Sequence, residues 1–145
     1  MKGSADSELI QNLVKHFSRL ERRQKHFMNE ALQSSGLQGM MYKYIITVKK
    51  HPGTSQDFLA EFHSVDKSRV ARVVRELEKI GYLNRTANEN NRRCYRLSLT
   101  PKGERVFEVI HQVLMEWGKL ISKNVSAGNI AITLDTIEKM IANAP

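Results

Sequence analysis

Apolar residues first recur at helical spacing between 7 and 32, where Ile10, Leu13, Val14, Phe17 and Leu20, then Phe27, Met28 and Leu32, mark one long helix. Ser34-Ser35-Gly36 breaks it, and a shorter helix over 37–50 stops at His51-Pro52-Gly53. Thr54 and Asp57 have the spacing of a capping box and open a helix over 55–62 with Phe58, Leu59 and Phe62 inward. After the tight turn His63-Ser64-Val65, Asp66 is placed to cap a helix whose inner face is Val70, Val73, Val74, Leu77 and Ile80. Gly81 ends it, and the period then changes to two. Tyr95, Leu97 and Leu99 alternate with Cys94, Arg96 and Ser98 as a half-buried strand, with 82–86 as its hairpin partner and the polar run 87–91 as an exposed, mobile tip. Thr100-Pro101 opens a further helix over 102–123, striped by Val106, Ile110, Val113, Trp117 and Leu120, with Phe107, Leu114 and Ile121 alongside. A last helix over 129–141 carries Ile130, Leu134, Ile137 and Ile141.

Two helices joined by so short a turn form a helix-turn-helix, whose second helix enters the DNA major groove while the first crosses the backbone. Opposite the valines, that second helix presents Lys67, Ser68, Arg69, Arg72 and Arg75. Arginine pairs bidentately with guanine O6 and N7, and Ser or Lys reaches phosphates or base edges. A solvated basic face is the plainer alternative. The hairpin adds Arg92 and Arg93, backed by Arg85 and Arg96, as a thin cationic projection suited to a minor groove. Net charge agrees: +8 over 145 residues favours a polyanionic partner, here double-stranded DNA, through release of phosphate counterions.

The segment LAEFHSVDKSRVARVVRELEKIGYLNR (59–85), followed by NRRCYRLSLTPKGE (91–104), resembles the MarR family of winged helix-turn-helix regulators. The pairing of Leu-Glu-x-x-Gly-Tyr-Leu-x-Arg with a later Leu-Thr-x-x-Gly is specific, and the helix order is compatible over nearly the whole chain. The resemblance implies a mainly α fold with a small β-hairpin wing. It also implies an obligate homodimer joined through its first and last helices, with two recognition helices in successive major grooves and wings in the flanking minor grooves. Arg93 aligns with the family's wing arginine. Two departures stand out: Asn91 occupies the position where the wing usually has Asp, and Ser64 the turn position where glycine is common. The expected organisation is one intertwined unit: 1–36 for dimerisation, 37–100 as the DNA-binding lobe and 101–145 as further dimerisation helices.

A chain of 145 residues with several small central elements leaves its terminal apolar stripes without cover. Dimerisation supplies it, and Ile10, Leu13, Phe17, Val113, Trp117, Leu120, Ile137 and Ile141 are placed at that interface, monomer core being the alternative. A twofold dimer predicts a pseudo-palindromic operator. Because regulators of this kind often respond to small amphipathic or aromatic effectors, Phe27, Met28, Met41, Tyr42 and Tyr44, with Met40, are pocket candidates; ordinary core packing is the competing reading.

Cys94, the single cysteine, forms no internal disulfide and is read as a strand residue before a redox sensor. Glu108 and His111, one turn apart, would need His16 or His26 to build a metal site, and no metal or cofactor is expected. P-loop, dinucleotide-binding, nucleophile-elbow and H-E-x-x-H motifs are absent, so catalysis is not indicated. Without a signal-like apolar core or a membrane-length apolar run, the expected setting is soluble and cytoplasmic. A different class of function, a winged-helix protein-interaction module without sequence-specific DNA binding, would use the same basic face for a protein partner.

Overall fold

The computed structural model describes residues 2–145, the side chains of 2–5 and of Arg92 excepted. The chain divides into two compact units, 1–113 and 114–145. In the first, helix α1 (Lys2–Ala31) starts earlier than its apolar stripe and buries only its C-terminal end, through Met28; Leu32, just beyond it, is buried too. A single 3-10 turn (Gln33–Ser35) follows, and Tyr82 Oη donates to Ser35 O at 2.7 Å.

Helix α2 (Met41–Lys50) begins later than the 37–50 expected. Gly39 has φ of +60°, which an α-helix cannot continue through, and its N–H is held by Asn29 Oδ1 at 2.7 Å. Tyr42, Tyr44, Ile45, Thr47 and Val48 of α2 are buried. Helix α3 (Gln56–Phe62) is capped by Ser55 and not by Thr54. Thr54 instead pairs as a lone β-bridge with Leu97, whose N–H donates to Thr54 O at 2.8 Å and whose carbonyl accepts from Gly53 N at 2.9 Å. Leu59 and Ala60 form the inner face of α3. Phe62, expected inward, is 56% exposed and stacks on Phe58 with ring centroids 5.6 Å apart.

Ser64 takes φ of +52°, the backbone a glycine adopts without strain, so the tight turn forms with a serine in its place. Helix α4 (Lys67–Ile80) follows, capped by Asp66 Oδ1, which accepts Arg69 N–H at 2.7 Å. Val70, Val74 and Leu77 are fully buried beneath it. Gly81, at φ +93°, closes α4 by donating its N–H to the Leu77 and Glu78 carbonyls.

Strands β1 (Leu83–Asn88) and β2 (Asn91–Leu99) form one antiparallel hairpin. They run further than expected, so most of 87–91 is paired strand and the turn is only Glu89-Asn90. The register is regular from Leu83↔Leu99 to Ala87↔Tyr95 and then jumps to Asn88↔Asn91, leaving 92–94 as a bulge in β2. Of the three apolar residues expected inward, Leu97 is fully buried, Leu99 is half-buried and Tyr95 is exposed. A buried face forms only where the hairpin meets the helices.

Helix α5 (Pro101–Ile121) is capped by Thr100, whose Oγ1 accepts Gly103 N–H at 2.9 Å. Gly103 is required there: a Cβ would lie 2.1 Å from Tyr82 O. Val106, Ile110 and Val113 are buried. In the second unit, helix α6 (Ala127–Asn143) is capped by Ser126 and has no buried residue, although Ile130, Ile132, Leu134 and Ile141 make it strongly apolar.

Candidate nucleic-acid interface

Burial of Val70, Val74 and Leu77 fixes the rotation of α4 and turns the opposite face of the helix outward. Lys67, Ser68, Arg69, Arg72 and Arg75 are all exposed. Ser68, Arg69, Arg72 and Arg75 line an open depression of about 700 Å³ with Asp66 and Glu76 at its edge. The Asp66 carboxyl is held below the ordinary carboxylate range, chiefly by the Ser68 hydroxyl and then by the Arg69 N–H, so the cap stays charged near neutrality. Lys67 pairs with Asp57 of α3 at 2.9 Å, which raises its pKa. The pair is exposed on both sides, and a phosphate competes readily for a lysine so weakly held. Arg75 Nε donates to Ala71 O at 3.2 Å along its own helix. Among the described residues, Arg69 and Arg72 make no ion pair, which leaves them available to a ligand on this face.

The hairpin cations divide into two kinds. Arg85, expected to contact DNA, is occupied: its Nε lies 3.2 Å from Glu78 Oε1 and its guanidinium lies 4.6 Å from the Tyr95 ring centroid. It ties the end of α4 to the wing, with Tyr95 diagonal to it across the ladder. Arg93 and Arg96 are exposed, Arg93 within the β2 bulge and Arg96 beside Gly53. Arg92 shares that bulge, and its side chain lies outside the described residues. Asn91 Oδ1 accepts Arg93 N–H at 3.1 Å and Asn91 Nδ2 donates to Cys94 Sγ at 3.4 Å. An amide thus serves as the acceptor an aspartate would provide.

The pocket candidates separate as well. Met28 and Tyr42 are core residues, and burial raises the Tyr42 pKa. Phe27 is half-buried and is not among the residues lining the cavity that holds Met41 and Tyr44. Met41 and Tyr44, with Met40, do line a cavity of about 380 Å³ between α1, α2 and the start of α4. That cavity also holds Lys25, Lys43, His63, Arg69 and Arg72, which the hydrophobic pattern gave no reason to group. They come from four elements brought together only by folding.

Of the interface candidates, Ile10 (58%), Phe17 (37%), Leu120 (60%) and Ile141 (67%) are exposed in the single chain. Leu13, Trp117 and Ile137 are half-buried, whereas Val113 is already buried. No group of three or more His, Cys, Asp and Glu among the described residues is arranged to hold a metal ion, and no helix there is long and apolar enough to cross a membrane.

A helix-turn-helix with an arginine-bearing outer face and a hairpin wing behind it defines a winged-helix DNA-binding protein. The family model described as MarR family matches residues 41–95. The HTH-type transcriptional regulator BilQ of Clostridioides difficile (strain CD3) is 30% identical over 120 residues, 83% of this chain and 76% of that protein. The crystal structure of a MarR transcriptional regulator from Methanosarcina mazei Go1 superposes with a TM-score of 0.85 at 25% identity, covering 92% of this chain and 96% of that one. A mutant MarR from E. coli, solved in complex with operator DNA, shares the fold at 22% identity and a TM-score of 0.79, covering 91% of this chain and 94% of that one. This chain belongs to the MarR family of transcriptional regulators.

Proposed function

We propose that the protein is a cytoplasmic, homodimeric repressor that occludes promoter DNA at a pseudo-palindromic operator and acts by binding, not catalysis. The observation that carries this reading is the outer face of α4, where Ser68, Arg69, Arg72 and Arg75 stand clear of the core and Arg69 and Arg72 have no competing ion pair among the described residues. In the complex, α4 lies in the major groove, the Arg93 bulge reaches the flanking minor groove, and Arg85 braces the wing.

Residues 37–100 form the DNA-binding lobe, and 1–36 and 101–145 supply the dimer interface. The bare apolar residues of α6 and of the N-terminal half of α1 support this, since an uncovered apolar helix face needs a partner. A small amphipathic or aromatic effector enters the cavity lined by Met40, Met41 and Tyr44 and shifts the dimer away from the spacing its half-sites require. Selection of bound duplexes from fragmented genomic DNA tests the core of the reading. Recovery of a palindrome with half-sites about one helical turn apart is expected, and uniformly weak, sequence-independent retention would overturn it.

A further inference from the structure

The end of α4 meets α5 and the end of α1 through two joints of different kinds, and Tyr82 belongs to both. Toward α5 the joint is backbone against backbone. Tyr82 O accepts Thr100 N–H at 3.0 Å, Thr100 Oγ1 donates to Gly81 O at 2.5 Å, and a side chain at Gly103 would lie 2.1 Å from Tyr82 O. Lys102 adds a bond from Nζ to Ile80 O at 2.7 Å, its ammonium 5.1 Å from the Tyr82 ring centroid. So close a joint has little room to turn. Toward α1 the connection is a side chain. Tyr82 is 5% exposed, and its hydroxyl donates to Ser35 O at 2.7 Å. Ser35 ends the 3-10 turn that follows α1, and Gly36, at φ +70°, turns the chain there. Burial raises the Tyr82 pKa, against a smaller opposite influence of the Ser35 bond, so the hydroxyl stays a protonated donor at neutral pH.

Tyr82 follows Gly81 directly, at the C-terminal end of α4, whereas the base contacts of a helix-turn-helix come from the N-terminal part of its second helix. Helix α4 has 14 residues, which at about 1.5 Å per residue puts its start roughly 20 Å from the joint. A rotation of about 10° at the joint therefore carries the start of α4 by about 3.5 Å, close to the roughly 3.4 Å rise of one base pair. The Tyr82–Ser35 bond opposes such a rotation, because a hydrogen bond of this length weakens steeply when stretched or misaligned.

We propose that the Tyr82 hydroxyl is a positioning group for operator recognition: by tying the end of α4 to the end of α1, it sets the half-site separation that the dimer accepts. The proposal rests on the homodimer and palindrome of the reading above and assigns its spacing selectivity to one side chain. Tyr82 is buried and takes no part in the exposed face of α4, so it acts on DNA only through the joint. Without the hydroxyl the ring and its packing remain, and each lobe still recognises a half-site. Its orientation to α1 is no longer held, and half-sites one base pair nearer or farther become acceptable.

The test compares full-length wild type with Tyr82→Phe on three synthetic duplexes: the operator selected from genomic DNA, and the same operator with its central spacer shortened or lengthened by one base pair. Wild type is expected to bind the selected spacing roughly tenfold or more tightly than either neighbour. In Tyr82→Phe that ratio is expected to fall to about threefold or less. A merely structural hydroxyl would lower the folded fraction and weaken all three complexes by one common factor, leaving the ratio as it was. An unchanged ratio therefore overturns the positioning role and leaves the repressor reading standing, as does a wild type indifferent to spacing. If no palindrome is selected from genomic DNA, both readings fall together. Gly36→Ala, which strains the turn that presents the Ser35 carbonyl, should narrow the ratio in the same way and decides the matter if Tyr82→Phe folds poorly.

Discussion

Asn91 Oδ1 accepts the backbone N–H of Arg93 at 3.1 Å, across the bulge that projects the wing arginine from β2. The side chain at 91 is therefore needed as an acceptor, and a negative charge is not required to shape the bulge. Its second contact, Nδ2 to Cys94 Sγ at 3.4 Å, is weaker and belongs to the amide alone. Asn91→Ala removes the acceptor and should weaken operator binding by about 0.5–1 kcal/mol, roughly two- to fivefold, with little change in Tm. Asn91→Asp should retain the bulge and lose less. Equilibrium binding to the selected operator, with melting curves, measures both; equal losses in the two variants would show that the amide Nδ2, absent from both, and not the Oδ1 acceptor, matters.

Arg72→Ala should cost about 1–3 kcal/mol in binding to the operator and much less on unrelated duplex, because a bidentate base contact is lost only where the correct base is present. Equal losses on both duplexes would reassign Arg72 to a phosphate.

The two kinds of wing cation should separate in salt. Arg93→Ala is expected to lower the slope of log affinity against log salt by about one phosphate equivalent. Arg85, held by Glu78 and Tyr95, should change that slope by less than half as much when replaced by alanine. Titrations at several salt concentrations measure both slopes, and matching values would remove the bracing role of Arg85.

Gly103→Ala pushes a methyl group into Tyr82 O, a backbone atom that cannot rotate away. The start of α5 or the β1 entry must move, so a destabilisation of about 1–3 kcal/mol or more is expected in denaturant unfolding. Gly118, where an added Cβ meets nothing within 4 Å, is the control, and Gly118→Ala should be neutral or stabilising.

His63 also makes folding stability depend on pH. In the unfolded chain it titrates near 6.5, and in the folded chain lower, so between those values the unfolded state binds more protons. The stability associated with its neutral form is full above 6.5 and is lost as pH falls toward the folded-state pKa. Asp66, depressed from 3.8, loses its contribution only at still lower pH, in a separate window. Tm measured from about pH 7.5 to 5 should therefore fall more in the wild type than in His63→Gln. Parallel curves would remove this contribution.

Much of this protein was legible in its sequence because the features are local. The 3.6-residue spacing of Val70, Val74 and Leu77 set which side of α4 is buried, and with it the outward position of Arg69 and Arg72. Asp66, Thr100 and Gly81 marked their helix ends because capping joins atoms only a few residues apart. What tertiary structure decided was every choice between near-equivalent local options. Thr54 and Ser55 are both good caps, and Ser55 has the role because Thr54 is drawn into a bridge with Leu97, more than forty residues away. Tyr95 and Leu97 have the same strand periodicity, yet only Leu97 reaches the core, because the hairpin projects beyond the helices. Arg85 and Arg93 were indistinguishable as cations until Glu78 and Tyr95 held one of them and the bulge presented the other. The gathering of His63, Lys25, Lys43, Arg69 and Arg72 around one cavity has no periodic trace in the chain, since their proximity depends on how separate helices pack.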